Sequence, residues 1–376
     1  MASRHRQDFF HAPGVTYLNC AYQGPMPRVA VEAAIQALEL KKTPHLIRDE
    51  LHFSYPDGFR RAIGRLIGSP IENIAVTDST THGVMLVVNG LDWREGDEVL
   101  LPEHEFPSNR FPWLSLEAQG VRVRTVAARP DADDAETFAA AFSDRTRVVS
   151  VGWINYSTGL RYDLEALSRL CRERDALLVV DGTQGIGGLA FDLRETPCDV
   201  LACSGYKWLL GPYGIGFAYL RPEVAERLTV RNISWLAIVG AEDFSRLSNC
   251  ELELVDTARR FDKNETASFI NVAAATAAAE YILEVTPEAI ESHVTALLDR
   301  LIERLPEGFR PVSDLTPARR SNIFCFAHEA PQRTEAAFRR LEEAGIVASL
   351  REAAIRVSPN IYNTEEEIDR VAGLLA

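Results

Sequence analysis

The chain is short of the features that mark several protein classes. Its six cysteines (Cys20, Cys171, Cys198, Cys203, Cys250 and Cys325) are scattered and never form C-x-x-C. Neither a zinc site nor a redox pair is expected, and most of them read as small buried hydrophobes. No apolar run approaches the roughly 18 residues of a membrane span, and the opening Met-Ala-Ser-Arg-His-Arg-Gln-Asp has no signal-peptide apolar core. The expectation is a cytoplasmic protein without a membrane partner. Positive charge is also scarce: 40 Lys and Arg against 54 Asp and Glu give a net charge of −14, which argues against nucleic acid as a partner because phosphate binding needs a basic face. A P-loop and a G-x-S-x-G elbow are both missing, so the usual nucleotide and serine-hydrolase readings lose support. His104-Glu105 begins like a zinc-binding H-E-x-x-H helix, but position 108 is Ser and Pro107 is expected to break that helix, so metal binding is discarded.

What remains is an ordinary globular composition, 46% hydrophobic and 25% charged over 376 residues, a length that suggests two domains. Strand-like and helix-like runs alternate. Asn73–Thr77, Asp97–Leu101, Arg147–Val151, Ala176–Val180 and Asp199–Cys203 read as strands. Val29 to Lys42, Asp57 to Ile67 and the Leu164, Leu167, Leu170, Cys171 face read as helices. Strand, helix, strand at this spacing is a βαβ unit with parallel strands, and ligands in such sheets bind beyond the carboxyl ends of the strands. The expected class is α/β, with a large, mainly parallel-sheet domain and a smaller C-terminal α+β domain. Residues 1–20 are taken as an N-terminal segment, 21–240 as the large domain and 241–376 as the small one. In the latter, helices are expected at Asn271–Leu283, Ser292–Arg304, Glu335–Ala344 and Glu365–Leu375, with strands at Ser321–Phe326 and Ile355–Ser358.

Chemistry-bearing residues fall just beyond these strand ends. Ser79-Thr80-Thr81 follows a strand and opens a helix, where backbone N–H groups, the helix dipole and hydroxyls can cradle an anion or can simply cap the helix. Phe106 is placed either in the core or against a flat ligand. Asp181 ends one strand. Lys207, which in isolation would be a surface lysine, follows the β-rich 199–203 and precedes Trp208-Leu209-Leu210. Its stem therefore lies on apolar surface, and a desolvated lysine has the lowered pKa that a carbonyl-attacking amine requires. Gly185-Ile186-Gly187-Gly188-Leu189-Ala190 fits G-x-G-x-x-A, but 191–197 does not continue as the helix that a dinucleotide fingerprint must open.

Taken together in order, these motifs resemble the class V aminotransferase family of pyridoxal-phosphate (PLP) enzymes, which contains cysteine desulfurases, selenocysteine lyases, kynureninases and isopenicillin N epimerases. The resemblance runs from Tyr17-Leu18-Asn19 to Tyr362-Asn363-Thr364 and implies a fold-type-I enzyme with PLP as cofactor. It makes Lys207 the Schiff-base lysine, Asp181 the partner of the pyridine nitrogen and Gln184 the neighbour of the phenolic oxygen. Ser79, Thr80, Thr81, Ser204 and Tyr206 become phosphate ligands. It makes Phe106 the stacking ring, with His104 as the fallback, and Arg356 the holder of the substrate carboxylate, with Arg351 as the competitor. Asn155 and Tyr156 are placed beside the substrate. Thr266 would reach the phosphate of a neighbouring subunit, which implies a homodimer with shared active sites.

The departures bear on the reaction. The segment 347–354 has no counterpart of the persulfide-forming cysteine of desulfurases, and Tyr206 stands where desulfurases usually have histidine, so sulfur relay is not expected. The reading is an enzyme acting on a small amino acid through Cα deprotonation followed by Cβ–X cleavage. The alternatives are transamination or epimerisation, a PLP-binding protein without turnover, and a nucleotide-binding module at 185–190.

Overall fold

The computed structural model describes residues 4–128 and 133–375, so the first three residues of the N-terminal segment and the last residue of the C-terminal unit lie outside the described residues. In chain order the elements are β1 (Thr16–Tyr17), α1 (Arg28–Lys42), α2 (Leu51–Ile67), β2 (Ile74–Thr77), α3 (Thr80–Gly90), β3 (Glu98–Pro102), α4 (Pro107–Leu114), β4 (Arg122–Val126), α5 (Asp134–Ala139) and β5 (Thr146–Gly152). There follow α6 (Leu164–Glu173), β6 (Leu177–Asp181), β7 (Val200–Ser204), β8 (Gly216–Leu220), α7 (Pro222–Arg227), α8 (Phe269–Val285) and α9 (Pro287–Glu303). The chain closes with β9 (Phe309–Pro311), β10 (Phe324–His328), α10 (Pro331–Glu343), β11 (Ile346–Val347), β12 (Ser349–Arg351), β13 (Ala354–Val357) and α11 (Glu365–Leu375).

Seven strands form the main sheet in the order β2-β8-β7-β6-β5-β3-β4. Only β8 runs against its neighbours; the other pairings are parallel. The central strands are unbroken apolar runs because both faces are covered. Val149, Val151, Leu178, Val180, Leu201 and Cys203 pack on one side, and the alternating Val148, Leu177, Val179, Val200 and Ala202 pack on the other. Since β2 and β7 both run opposite to β8, the carboxyl ends of β2, β3, β5, β6 and β7 meet along one edge, and the site lies there.

A second, antiparallel sheet has the order β12-β13-β10-β9, with α10 against it and α11 packed on α10 and α9. The N-terminal segment belongs to this part: β1 pairs in parallel with β11. By contrast α8 packs on α1 and α2, and Asp262 is buried against Arg60 of α2 while accepting the backbone N–H of Val76 at 2.8 Å. This packing sets α8, which ends before the turn at Thr286, against helices of the N-terminal half. Among the described residues no single helix is long and apolar enough to cross a membrane; α8 and α9 pass such a test only as a pair bent by 74°.

Two local expectations change. Pro107 does not stop a helix but starts α4, with Phe106 as its N-cap, because the first helical position needs no N–H donor and suits the fixed φ of proline. The α2 helix begins six residues before the expected Asp57, with Pro56 inside it. Gly185 to Ala190 forms turns rather than a helix start. A Cβ on Gly185 would lie 2.1 Å from the Trp153 ring, so this glycine is required for packing.

Candidate active site

Lys207 lies just beyond the end of β7 and is almost fully buried. Burial lowers its ammonium pKa to about 8 against the opposing effect of Asp181, and Arg356 lowers it further. Its Nζ stands 5.0 Å from the centre of the Phe106 ring and 5.8 Å from that of Tyr206. The backbone around it has no slack. Gly24 donates to the Tyr206 carbonyl at 2.9 Å, and a Cβ on Gly24 would fall 1.9 Å from the Lys207 carbonyl oxygen.

Asp181, the last residue of β6, is buried, and burial raises its carboxyl pKa; the Thr183 N–H, donated to Oδ1 at 2.9 Å, and Lys207 oppose that rise. Beside it, three hydroxyls and two backbone N–H groups interlock at the start of α3. The Thr80 N–H donates to Ser204 Oγ at 2.9 Å, Thr80 Oγ1 lies 2.9 Å from Ser204 Oγ and 2.5 Å from Thr183 Oγ1, and the Ser204 N–H donates to Thr183 Oγ1 at 3.2 Å. Ser79 is the N-cap of α3, accepting the His82 N–H at 3.2 Å while its own hydroxyl donates to Asp78 at 2.7 Å.

One recess gathers Thr80, Phe106, Tyr156, Asp181, Gln184, Ser204, Tyr206 and Lys207. Gln184 donates to the Ala21 carbonyl at 3.0 Å and accepts from Trp208 Nε1 at 3.1 Å. Tyr206 is stacked on Tyr213, with ring centres 4.1 Å apart and an interplanar angle of 16°. Burial pushes the Tyr206 phenol up to about 12. Phe106 meets the Tyr156 ring edge-on at 5.1 Å. Ser79, Thr81, Asn155, Thr266 and Arg356 do not line this recess, nor do His104 and Arg351. Asn155 is committed to its own turn: its Oδ1 accepts the N–H groups of Ser157 and Thr158, both at 3.0 Å, and its Nδ2 donates to the His104 carbonyl at 3.1 Å. Arg356 is buried on the neighbouring small sheet and donates to the Tyr156 carbonyl at 2.5 Å.

The structure adds lining residues that sequence reasoning missed, chiefly Glu105, Ser108 and Thr183. Thr183 had a signal, a hydroxyl two positions beyond a strand-terminal aspartate. Glu105 had none: only the fold brings it to Gly152 and buries it, and that burial, with Asp181 nearby, raises its pKa.

The set fits a phosphorylated pyridine aldehyde. Hydroxyls and backbone N–H groups converge at the N-terminus of a helix of 11 residues, as an anionic phosphate requires. Asp181 is a buried carboxylate suited to a cationic ring nitrogen, and Lys207 is a buried amine whose neutral form makes up half the population at a pH of about 8.

An α/β sheet with a buried lysine and aspartate at its carboxyl edge defines an enzyme class that carries its cofactor on the lysine. The family profile described as Aminotransferase class-V matches residues 50–371. The chain belongs to the class V aminotransferases, a family of PLP-dependent enzymes. It is 30% identical over 382 residues to isopenicillin N epimerase of Streptomyces clavuligerus, covering 96% of this chain and 94% of that one. It is 28% identical to a cysteine desulfurase of Salmonella newport strain SL254, covering 85% and 81% of the two chains. Its fold is shared with the cystine C-S lyase C-DES, solved in complex with its reaction product cysteine persulfide, at a TM-score of 0.86 and 24% identity over 96% and 97% of the two chains. It is shared equally with a C-DES mutant that has glycine linked covalently to the PLP cofactor, at a TM-score of 0.87 and 23% identity over 98% of both chains.

Proposed function

We propose that the protein cleaves a Cβ–X bond of a small amino acid after removing its Cα proton. The observation that carries this reading is the buried Lys207 amine, with its pKa lowered to about 8 beside the strand-terminal Asp181. In its neutral form, which the lowered pKa makes accessible, this amine would be both the nucleophile that holds the cofactor and, once released, the base that takes the Cα proton. Asp181 would pair with the protonated ring nitrogen of the cofactor, and Thr80, Thr183 and Ser204 would hold its phosphate. Phe106 covers the ring, Tyr206 closes the recess next to the lysine, and Arg356 pairs with the substrate carboxylate through a planar fork. When bound, the cofactor supplies an electron sink for the pair left at Cα. A two-residue hairpin turn, Glu352-Ala353, joins β12 to β13 where desulfurases carry their relay cysteine, which supports direct cleavage over sulfur relay.

A second reading, epimerisation, is favoured by the similarity to isopenicillin N epimerase over nearly the whole chain. The two share the first deprotonation and differ in where the next proton goes. Incubation of the holoenzyme with single amino acids in deuterated buffer separates them. Release of sulfide, pyruvate or alanine supports cleavage. Deuterium uptake at Cα with inverted configuration and no released fragment would sink it in favour of epimerisation.

A homodimer is part of the same proposal, with Thr266 placed against the partner's phosphate. The exposed apolar side chains of Tyr213, Trp235 and Ile270 support it. A monomer in sedimentation of the holoenzyme would overturn it.

A further inference from the structure

The register of the small sheet places two arginines together. Ser349 is paired with Arg356 and Arg351 with Ala354 across the antiparallel β12–β13 ladder. Opposed residues in such a ladder share a face, as do residues two apart on one strand. Arg351 and Arg356 are therefore diagonal neighbours on one face, roughly 7–8 Å apart at Cα by ladder geometry. Among the described residues neither guanidinium forms an ion pair with a carboxylate. The Nε of each is buried without a hydrogen-bond partner. The mutual repulsion is felt: after burial, Arg351 is the largest cause of the lowered Arg356 pKa, which falls to about 10. Both arginines also act on the Tyr156 phenol, whose ring lines the recess beside Phe106. Glu352, next to Arg351, is exposed and lies at the hairpin tip. Two adjacent cations, one buried and one half-buried, each with a buried Nε that lacks a partner, carry a cost that anionic ligands would relieve, and one carboxylate cannot offer bidentate pairing to both forks.

Resting on the proposed amino-acid chemistry, we infer that Arg351 and Arg356 together recognise a substrate with two carboxylates, an amino acid whose side chain ends in a second carboxylate. Arg356, the more deeply buried and bonded to the Tyr156 carbonyl, takes the α-carboxylate. Arg351, nearer the hairpin tip, takes the distal one.

The test is calorimetric titration with ligands that lack the amine and therefore bind without reaction: glutarate against pentanoate, its monocarboxylate of equal length, with succinate and adipate to vary the reach. A second charge-assisted pair predicts that the best dicarboxylate binds about tenfold to a hundredfold more tightly than its monocarboxylate. Arg351→Gln is expected to abolish that preference, and Arg356→Gln to weaken both ligands together. Arg351→Lys keeps the charge without the fork and should retain part of the preference, which guards against a misfolded glutamine variant. Equal affinity of the wild-type protein for both ligand classes, or a preference unchanged in a folded Arg351→Gln variant, would overturn the inference. Running both cofactor-loaded and cofactor-free protein separates the two proposals: failure to load PLP defeats the catalytic reading, whereas loss of the dicarboxylate preference defeats only this one.

Discussion

Glu105, three residues beyond β3, accepts the backbone N–H of Gly152, the last residue of β5, at 2.6 Å. The same carboxylate accepts the Phe106 N–H at 2.7 Å, so one buried side chain ties the ends of two strands to the ring that faces Lys207. Burial, reinforced by Asp181, pushes its pKa up to about 7.

That shift has a sign. A carboxyl whose folded pKa lies above its unfolded value binds its proton more tightly when folded, so its contribution to stability is lost as pH rises from about 4.5 to about 7, by about 3 kcal/mol at most. Glu105→Gln cannot ionise and should flatten this part of the stability profile. Urea midpoints of the cofactor-free protein at pH 5, 6, 7 and 8 measure it, and a variant with the wild-type slope would show that another group is responsible.

The lowered Lys207 pKa predicts how the cofactor attaches. Only the neutral amine attacks a carbonyl, so the rate at which PLP reconstitutes the cofactor-free protein should rise about tenfold per pH unit below pH 8 and level off above it. Stopped-flow absorbance of the lysine-bound cofactor follows this directly. Lys207→Ala should give no such band, and a rate still rising steeply at pH 10 would indicate an unshifted lysine.

Arg60 and Asp262 form a buried ion pair, extended by Asp57 at 2.7 Å from Arg60 and by the Val76 N–H on Asp262. Asp262→Ala leaves a buried guanidinium short of its main partner and is expected to cost roughly 3–5 kcal/mol. Because Val76 lies on the strand that leads into Ser79 and Thr80, loss of PLP affinity should accompany the lower denaturation midpoint.

The β12–β13 turn holds two non-glycine residues at positive φ, Glu352 at 47° and Ala353 at 65°. Such a conformation disfavours a side chain, and Ala353→Gly should stabilise the fold by about 1 kcal/mol. Thermal unfolding reads the gain. A loss of stability would mean that the flexibility added to the unfolded chain outweighs the relief of strain.

Gly185→Ala tests the glycine run. A Cβ there would meet the Trp153 ring at 2.1 Å, so the substitution should cost at least about 1–3 kcal/mol through overpacking. A dinucleotide-binding role would instead predict a variant of normal stability with altered nucleotide affinity.

The strands, the parallel arrangement and the order of the motifs were legible along the chain because they are local. Short apolar runs such as 177–180 and 200–203, alternating with helical patterns, read as strands buried on both faces, and a hydroxyl cluster between a strand and an apolar helical run reads as a helix start. That placement drew attention to Lys207 and Asp181, while the class of cofactor came from the resemblance of the ordered motifs to the class V aminotransferases. Asn155, assigned to the substrate from the sequence, has both ends of its amide engaged, Oδ1 by the N–H groups of Ser157 and Thr158 in its own turn and Nδ2 by the distant His104 carbonyl. Contacts between strands distant in sequence were decided only by the tertiary structure. Glu105 meets Gly152 because β3 and β5 are neighbours, and α8 joins the large part because its alanine-rich face fits α1 and α2. Arg351 lies beside Arg356 because a tight turn sets the register of β12 on β13. Spacing along a chain reports which face of an element a residue occupies; which other face it meets is settled only when the sheets are assembled.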